Sequence, residues 1–176
     1  IPEASAFTVH EGVQVERIRA LPAADVCKEL WLPPGSPTVG NIGALVAHKG
    51  QRYLVDAAPA VVRSLPDTHV LIFGEGELRP ALARQIKHLG LEHNVKLVGF
   101  RADILALLGG LDVFVMSSLT EGLGTSILDA MAASRPVVSN MPMCGFWFLV
   151  SVLRGGDRHA NRDPRGDARD RSVGDR

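Results

Sequence analysis

Residues 38–74 read "TVGNIGALVAHKGQRYLVDAAPAVVRSLPDTHVLIFG", and this stretch decides the fold. It begins with a short apolar run bounded by glycine, continues through a longer segment with apolar residues at helical spacing, and ends in a second apolar run. Short strands that alternate with longer helices are typical of βαβ units. We therefore predict a strand at residues 38–45, a helix at residues 49–65 and a strand at residues 69–74.

The predicted helix at residues 49–65 has apolar side chains spaced along one face, and we expect that face to pack on the sheet. Pro59 lies inside the helix, where it is expected to cause a kink. The side chains predicted to face the core are Leu54, Ala57, Ala58, Val61, Val62 and Leu65.

The same alternation continues along the chain. The further predicted elements are a helix at 77–91 that ends near Gly90, a strand at 94–100, a helix at 102–110, a strand at 111–118, a helix after the glycines at 122 and 124, and a strand at 135–140. The strands are almost continuously apolar, which indicates burial on both faces. The pattern predicts an α/β fold, a doubly wound parallel sheet of about five strands with helices on both sides.

The two ends of the chain do not share this rhythm. Residues 1–37 are interpreted as a linker and edge segment, with an edge strand at 7–13 and a short helix at 24–32. Residues 38–140 form the predicted domain, and residues 141–176 form an atypical tail. From residue 154 the tail is almost wholly Arg, Asp and Gly, so we expect disorder there because it offers too little apolar surface to offset the entropy of ordering.

Composition excludes several classes of function. The chain has 176 residues, 46% of them hydrophobic, and 19 acidic and 19 basic side chains, so no net charge attracts nucleic acid. Cys27 and Cys144 lie in no metal or redox spacing, which indicates neither a disulfide framework nor a zinc site and favours a cytoplasmic protein. The most apolar stretch, residues 143–153, is too short for a membrane span, and the chain begins at Ile1 without a leader.

Two loops of the predicted sheet carry the residues suited to chemistry. In a sheet of strand order 3-2-1-4-5, the loops after the first and fourth strands meet in the crevice where ligands bind. These loops are "AHKG" (residues 47–50) and "TEGLG" (residues 120–124). The Lys49 ammonium and the backbone amides of Gly122, Leu123 and Gly124 at a helix start are suited to phosphate oxygens. We predict that the crevice binds a diphosphate.

Two carboxylates accompany this phosphate site. Glu121 would repel a phosphate unless it accepts hydrogen bonds from hydroxyl groups, such as those of a sugar. Asp129 lies eight residues later, roughly 12 Å along a helix axis and about 80° around it. The pair would frame a ligand of nucleotide-sugar length, with Glu121 near a sugar and Asp129 near a ribose.

Four stretches together resemble one known family. They are "VGNIGALVAHKGQRYLVDAAPAVV" (39–62), "HVLIFGEGELRPAL" (69–82), "NVKLVGFRADILALLGGLDVFVMSS" (94–118) and "EGLGTSILDAMAASRPVV" (121–138). In this order and spacing they resemble the C-terminal, donor-binding domain of a GT-B retaining glycosyltransferase of family 4, the glycosyl transferases group 1 domain. The resemblance covers residues 39–139.

The resemblance implies a nucleoside diphosphate sugar as donor, retention of the anomeric configuration, no cofactor and no obligatory metal. Lys49 would hold the diphosphate and Glu121 the sugar, and both are the implied catalytic residues. Asp129 would bind the ribose, while Arg101 and Asp103 would border the base. The full set of implied substrate-binding residues is Gly43, Arg101, Asp103, Gly122, Leu123, Gly124, Thr125 and Asp129.

The sequence departs from the family pattern at several places. Ala44 stands where the family often has an arginine, and Asp129 replaces the usual glutamate. Residues 9–20 resemble the segment between the two domains, so the acceptor-binding N-terminal domain is expected to be missing from this chain. The resemblance therefore implies a fragment that is inactive alone, whose partners are the donor, an acceptor and the acceptor domain. It leaves open a peripheral membrane contact of the full enzyme.

Other functions were weighed against this one. A dinucleotide-binding oxidoreductase is excluded, because "GEGELR" follows the second strand and has Arg79 where the third glycine belongs. Two alternatives stay open: a nucleotide-binding remnant without catalytic activity, and half of a GT-B sugar-nucleotide epimerase.

Overall fold

The computed structural model describes residues 12–122, 124–143 and 146–150. Its helices are α1 (Val15–Ala20), α2 (Val26–Glu29), α3 (Gln51–Ser64), α4 (Arg79–His88), α5 (Ile104–Gly110) and α6 (Thr125–Ala132). Its strands are β1 (Thr38–Ile42), β2 (His69–Phe73), β3 (Val95–Gly99), β4 (Val113–Met116), β5 (Val137–Met143) and β6 (Phe146–Val150). A short 3-10 helix, Ala47–Lys49, leads into α3.

The strands form one sheet of order β3-β2-β1-β4-β5-β6. Strands β1 to β5 pair in parallel, so their carboxyl ends lie at the same edge of the sheet. The chain order reverses between β1 and β4, which creates the crevice that binds ligands in such sheets. The predicted fold class and strand order are confirmed.

Both faces of the sheet are covered, as β2 illustrates. All five of its residues are buried. Leu71 and Phe73 belong to the core under α2, α5 and α6, whereas Val70 and Ile72 belong to the core under α3 and α4. Successive side chains of a strand point to opposite faces, so an unbroken apolar strand supplies two cores at once.

Helix α3 is rotated relative to the predicted core face. Gln51, Val55 and Ala58 are buried, and Leu54 and Val62 pack against the core. Three residues of the predicted face were assigned wrongly, since they are exposed: Ala57, Val61 and Leu65. The buried stripe begins at a polar residue, Gln51, whose Nε2 donates to Ala44 O at 3.0 Å. The helix runs through Pro59, and the kink stays a prediction.

The ends of two other helices follow local rules. Gly90 lies just past α4 with a φ of 66°, a conformation that suits glycine, and so ends the helix as predicted. Asp25 caps α2 by accepting from the Lys28 amide at 3.1 Å, within the helix expected at residues 24–32.

The structure corrects the expectations for the chain ends. Residues 15–20 form α1, which was not predicted, and buried Ile18 anchors it. No strand was predicted in the atypical tail that begins at residue 141, but β5 extends to Met143 and β6 pairs antiparallel with β5. The residues of β6, "FWFLV", have high strand propensity, which favours their pairing with β5. Most of the expected edge strand at 7–13 and the rest of the tail lie outside the described residues.

No helix in the described part of the chain is long and apolar enough to cross a membrane. Cys27 lies half-buried in α2, and Cys144 is outside the described residues. The absence of a disulfide and the cytoplasmic location therefore stay predictions.

Candidate functional site

The loops that follow β1 and β4 meet, as the strand order predicts. The Leu119 amide donates to His48 O at 2.8 Å, and Ser117 Oγ donates to Lys49 O at 2.9 Å. Gly50 lies between them with a φ of 64°, and a Cβ atom there would come within 2.1 Å of Ser117 O. Only glycine allows this approach, so the sequence "KG" at residues 49–50 holds the two loops together.

An ion pair connects the same two loops. Lys49 Nζ lies 2.5 Å from Glu121 Oε1, and the two side chains are 23% and 10% exposed. Ser118 Oγ donates to the same carboxylate oxygen at 2.6 Å. The structure thus brings both predicted catalytic residues together, and it adds a hydroxyl that the sequence analysis did not single out.

The environment of Glu121 keeps it ionised. Burial opposes the charge, but the hydrogen bonds from Lys49 and Ser118 and the nearby positive charge of Lys49 outweigh it. As a result, the pKa of Glu121 lies below its ordinary value. An ionised carboxylate accepts hydrogen bonds but has no proton to donate. Glu121 is therefore suited to binding hydroxyl groups and not to acting as an acid.

Helix α6 begins directly after the two glycines, as predicted. Its first residue is Thr125, and Gly124 caps it in a left-handed conformation with a φ of 60°. Glu121 and Gly122 precede the helix, so helical geometry does not apply to the whole stretch from Glu121 to Asp129, and their separation stays a prediction. Leu123 lies outside the described residues. Among the described residues no side chain caps α6, and the first amides of an uncapped helix are available to an anion.

Asp129 lies on α6 and is half-buried. Burial raises the pKa of its carboxyl group above the ordinary value. Among the described residues no side-chain partner offsets this burial. A carboxylate that is withdrawn from water without a partner favours a ligand that donates hydrogen bonds to it.

A cavity of about 330 Å³ continues the crevice along the ends of β1, β2 and β3. Gly43 lines it, and a Cβ atom at Gly43 would lie 3.7 Å from Lys49 Cδ, so the cavity adjoins the lysine. Phe100, which is 77% exposed, stands at its rim. The lining residues are Ile42, Gly43, Ala44, Phe73, Gly74, Glu75, Phe100, Arg101 and Ile104.

Arg101 and Asp103 form a second ion pair beside this cavity. Arg101 Nε lies 2.7 Å from Asp103 Oδ1, and Arg101 Nη2 lies 2.6 Å from Asp103 Oδ2. This pairing holds the pKa of the Asp103 carboxyl below its usual range. Arg101 also contacts Glu29 Oε2 at 3.4 Å. Arg101 lines the cavity and Asp103 contacts Arg101, so the charges of the two predicted residues are directed largely at each other.

Several residues that build the site were not predicted from the sequence. Ser117 and Ser118 are buried directly after β4; Ser117 Oγ donates to the backbone carbonyl of Lys49, and Ser118 Oγ donates to the Glu121 carboxylate. The signal was the pair of hydroxyl residues directly before "LTEG", which looks like ordinary loop polarity. Phe100 was read as the end of a strand, because a single aromatic residue there does not reveal a cavity.

Taken together, the crevice offers one ammonium, helix amides and an ionised carboxylate, and α6 carries the half-buried carboxyl group of Asp129. Such a set can bind an anion at one point and hydroxyl groups at two others. Among the described residues no three His, Cys, Asp or Glu side chains cluster closely enough to hold a metal ion.

Comparison with known proteins agrees with this chemistry. The family model "Glycosyl transferases group 1" matches residues 36–150. A similar curated protein is the lipopolysaccharide core biosynthesis glycosyltransferase LpsE of Rhizobium meliloti, 36% identical over 121 residues, which are 69% of this chain and 34% of LpsE. The chain thus spans about a third of the length of this relative.

Solved structures share the fold. The Anabaena protein Alr3699/HepE in complex with UDP is 30% identical with a TM-score of 0.64, over 74% of this chain and 37% of that one. The C-terminal domain of the group 1 glycosyltransferase LpcC from Francisella tularensis is 27% identical with a TM-score of 0.63, over 73% of this chain and 70% of that one. The family model covers well over half of the chain, with the β1–β4 crevice inside it. This chain therefore belongs to the glycosyl transferases group 1 family, whose GT-B architecture its sheet shares.

Proposed function

We propose that this chain is the donor-binding part of a glycosyltransferase and that it binds a nucleoside diphosphate sugar in the β1–β4 crevice. The observation that carries the proposal is the contact between Lys49 and Glu121. It joins a cation suited to phosphate with a carboxylate suited to sugar hydroxyls, on two loops that the fold brings together. The UDP complex of the similar protein HepE supports a nucleotide ligand.

The diphosphate is assigned to Lys49 and the start of α6. An ammonium has three N–H donors, and Glu121 uses one of them. The remaining donors can bind phosphate oxygens, and a bound diphosphate then competes with Glu121 for the ammonium. The amides at Gly122, Leu123, Gly124 and Thr125 would complete the anion site, since the positive end of the helix dipole stabilises negative charge.

The sugar, the ribose and the base of the donor are assigned to Glu121, Asp129 and the cavity. Glu121 Oε1 accepts from Lys49 and Ser118, whereas Oε2 has no bond to a described residue and is available to a sugar hydroxyl. Asp129 would accept from the ribose. The cavity beside Gly43, Arg101 and Asp103 has the largely apolar floor that a base requires.

Transfer with retention is part of the proposal. The bond between the anomeric carbon and the diphosphate oxygen breaks, and the acceptor oxygen bonds to the same face of the sugar. The acceptor's hydroxyl proton passes to the departing diphosphate. Lys49 and the helix amides would stabilise the charge that develops on the diphosphate, which is their contribution to rate. Glu121 positions the sugar and is not assigned as a nucleophile.

We also propose that this chain does not transfer sugar alone. The curated relative LpsE is about three times as long as the matched region, which leaves room for a further domain that binds the acceptor. No acceptor site is assigned to the described residues.

Thermal melts test the nucleotide proposal directly. The purified chain would be melted with UDP, GDP and ADP, and with UDP-glucose, GDP-mannose and ADP-glucose. One diphosphate is expected to raise Tm, and its sugar form is expected to raise Tm further in the wild type but not in Glu121→Ala. Glu92→Ala is the matched control, because Glu92 is exposed at the opposite edge of the sheet.

Two outcomes would contradict the proposal. A cooperative melt that no nucleotide shifts would exclude donor binding by this chain. A shift by nucleotides that Glu121→Ala leaves unchanged, sugar form included, would instead favour a nucleotide-binding remnant in which Glu121 has no role.

A further inference from the structure

Ser118 is a buried hydroxyl residue whose contact is directed at the site. It follows β4 and is 1% exposed. Its Oγ lies 2.6 Å from Glu121 Oε1 and 3.2 Å from Met116 Sδ. A hydroxyl carries one hydrogen, and an ionised carboxylate is a far better acceptor than a thioether. The Ser118 hydroxyl therefore donates to Glu121.

Glu121 is held from two directions as a result. Lys49 approaches from the loop after β1, and Ser118 approaches from the end of β4, and both bind Oε1. The two holders differ in charge. A diphosphate competes with Glu121 for the Lys49 ammonium, whereas a neutral hydroxyl attracts a phosphate far less. Ser118 is thus the contact that persists when an anion occupies the crevice.

We propose that Ser118 is a positioning residue for the sugar contact: it fixes Glu121 Oε1 so that Oε2 stays directed to a hydroxyl of the donor sugar after the diphosphate has drawn Lys49 away. The proposal rests on the proposed function for its sugar ligand. It does not require a contact between Ser118 and the ligand, and Ser118 is not assigned to the chemistry itself.

Binding measurements separate positioning from general stability. UDP and UDP-glucose, and in parallel GDP and GDP-mannose, would be titrated calorimetrically into the wild type and Ser118→Ala. Affinity for the nucleotide alone is expected to change by less than about twofold, whereas affinity for the sugar form falls about three- to tenfold, since the loss of one hydrogen bond to a charged group is partly compensated. Ser118→Thr, which keeps the hydroxyl, should restore the sugar form's affinity.

Two variants control for unrelated effects. Ser64→Ala makes the same change at an exposed position on α3 and should leave both affinities unchanged. If Ser118→Ala fails to give a cooperative melt, Ser118→Cys takes its place, because a thiol has similar size but is a weak donor. An equal loss of affinity for the nucleotide and its sugar form would overturn the proposal, since that result marks a purely structural role.

A readout without any ligand tests the contact independently. The Glu121 carboxyl would be titrated by carbon-detected NMR in the wild type, Ser118→Ala and Ser64→Ala. Loss of the Ser118 hydrogen bond should raise the pKa of Glu121, and the Ser64 change should not. An unchanged titration in Ser118→Ala would overturn the proposal even if nucleotides bind. Absence of nucleotide binding by the wild type would instead contradict the proposed function, so the two failures are distinguishable.

Discussion

The carboxyl edge of the sheet carries two ion pairs that differ in what they connect. Lys49 and Glu121 are 72 residues apart in sequence, and their side chains are 23% and 10% exposed. Arg101 and Asp103 are two residues apart in one loop, and their side chains are 26% and 49% exposed. The first pair exists only when β1 and β4 are neighbours, whereas the second can form in a local loop conformation.

This difference explains why only one of the pairs is central to the proposed site. A pair that spans two loops depends on the tertiary fold and lies where water is partly excluded, so its charges interact strongly with a ligand. A local, solvent-facing pair is screened by water and salt and contributes little to stability. The same residue types therefore have different roles because of the elements that carry them.

The largest expected effect comes from separating the two loops. Gly50→Ala should lower the free energy of unfolding by more than about 2 kcal/mol, because it adds left-handed strain and a Cβ atom 2.1 Å from Ser117 O. Gly90→Ala has a similar φ of 66° but open space around it, so it should cost only about 1 kcal/mol. Urea denaturation measures both, and equal costs would show that the close approach of the loops is not required.

A smaller effect is expected from removing one cation of each pair. Lys49→Ala leaves the buried Glu121 with Ser118 alone and should cost about 1–3 kcal/mol at pH 7. Arg101→Ala should cost less than about 1 kcal/mol. Urea denaturation of both variants would measure the free energies of unfolding. A larger loss of stability for Arg101→Ala than for Lys49→Ala would contradict the view that the Lys49–Glu121 pair is the stronger one.

The stability difference between the wild type and Lys49→Ala should depend on pH in a defined direction. The folded-state pKa of Glu121 lies below its unfolded value of 4.5, so the stability that its ionised form contributes is present above pH 4.5 and is lost as pH falls through the folded pKa. The difference between the wild type and Lys49→Ala should therefore shrink below pH 4.5. A difference that stays constant would indicate that Lys49 acts through packing of its aliphatic part.

The smallest effect is expected at the opposite edge of the sheet, where His69 begins β2 and is 1% exposed. Burial, followed by the charges of His93 and Lys96, lowers the pKa of His69 below 6.5. The unfolded chain then binds a proton that the folded chain rejects, so stability should decline as pH falls below 6.5. Thermal melts between pH 7.5 and 5.5 would measure this decline in stability, and His69→Phe should reduce it. If the decline is unchanged in His69→Phe, a group other than His69 causes it.

Much of the sheet could be predicted from the sequence because two signals identify its strands. Each is an apolar run, and each is followed by a glycine or a polar loop, so their order and parallel pairing follow from general rules. The meeting of the Lys49 and Glu121 loops follows from strand order alone. The sequence pattern was less informative for α3, where buried Gln51 starts the core stripe, because a polar side chain gives no hydrophobic signal.

The detailed contacts of the site could not be predicted. Spacing assigned Lys49 to phosphate and Glu121 to sugar, but it gave no reason to expect that they bind each other. Ser118 contributes through one hydroxyl that is buried by tertiary packing, and burial of a single serine leaves no mark in the sequence. The start of α6 after Gly124 was predicted, but the left-handed conformation of Gly124 was not, because residue spacing alone does not specify it.

The central claim is that Lys49 binds the diphosphate of a nucleotide in the β1–β4 crevice. Isothermal titration of UDP, UMP, GDP and GMP into the wild type, Lys49→Ala and the exposed control Lys87→Ala tests it most directly. We expect Lys49→Ala to weaken the preferred diphosphate about tenfold or more, its monophosphate much less, and Lys87→Ala to change neither. An equal loss for the diphosphate and the monophosphate would contradict the assignment of Lys49 to the distal phosphate.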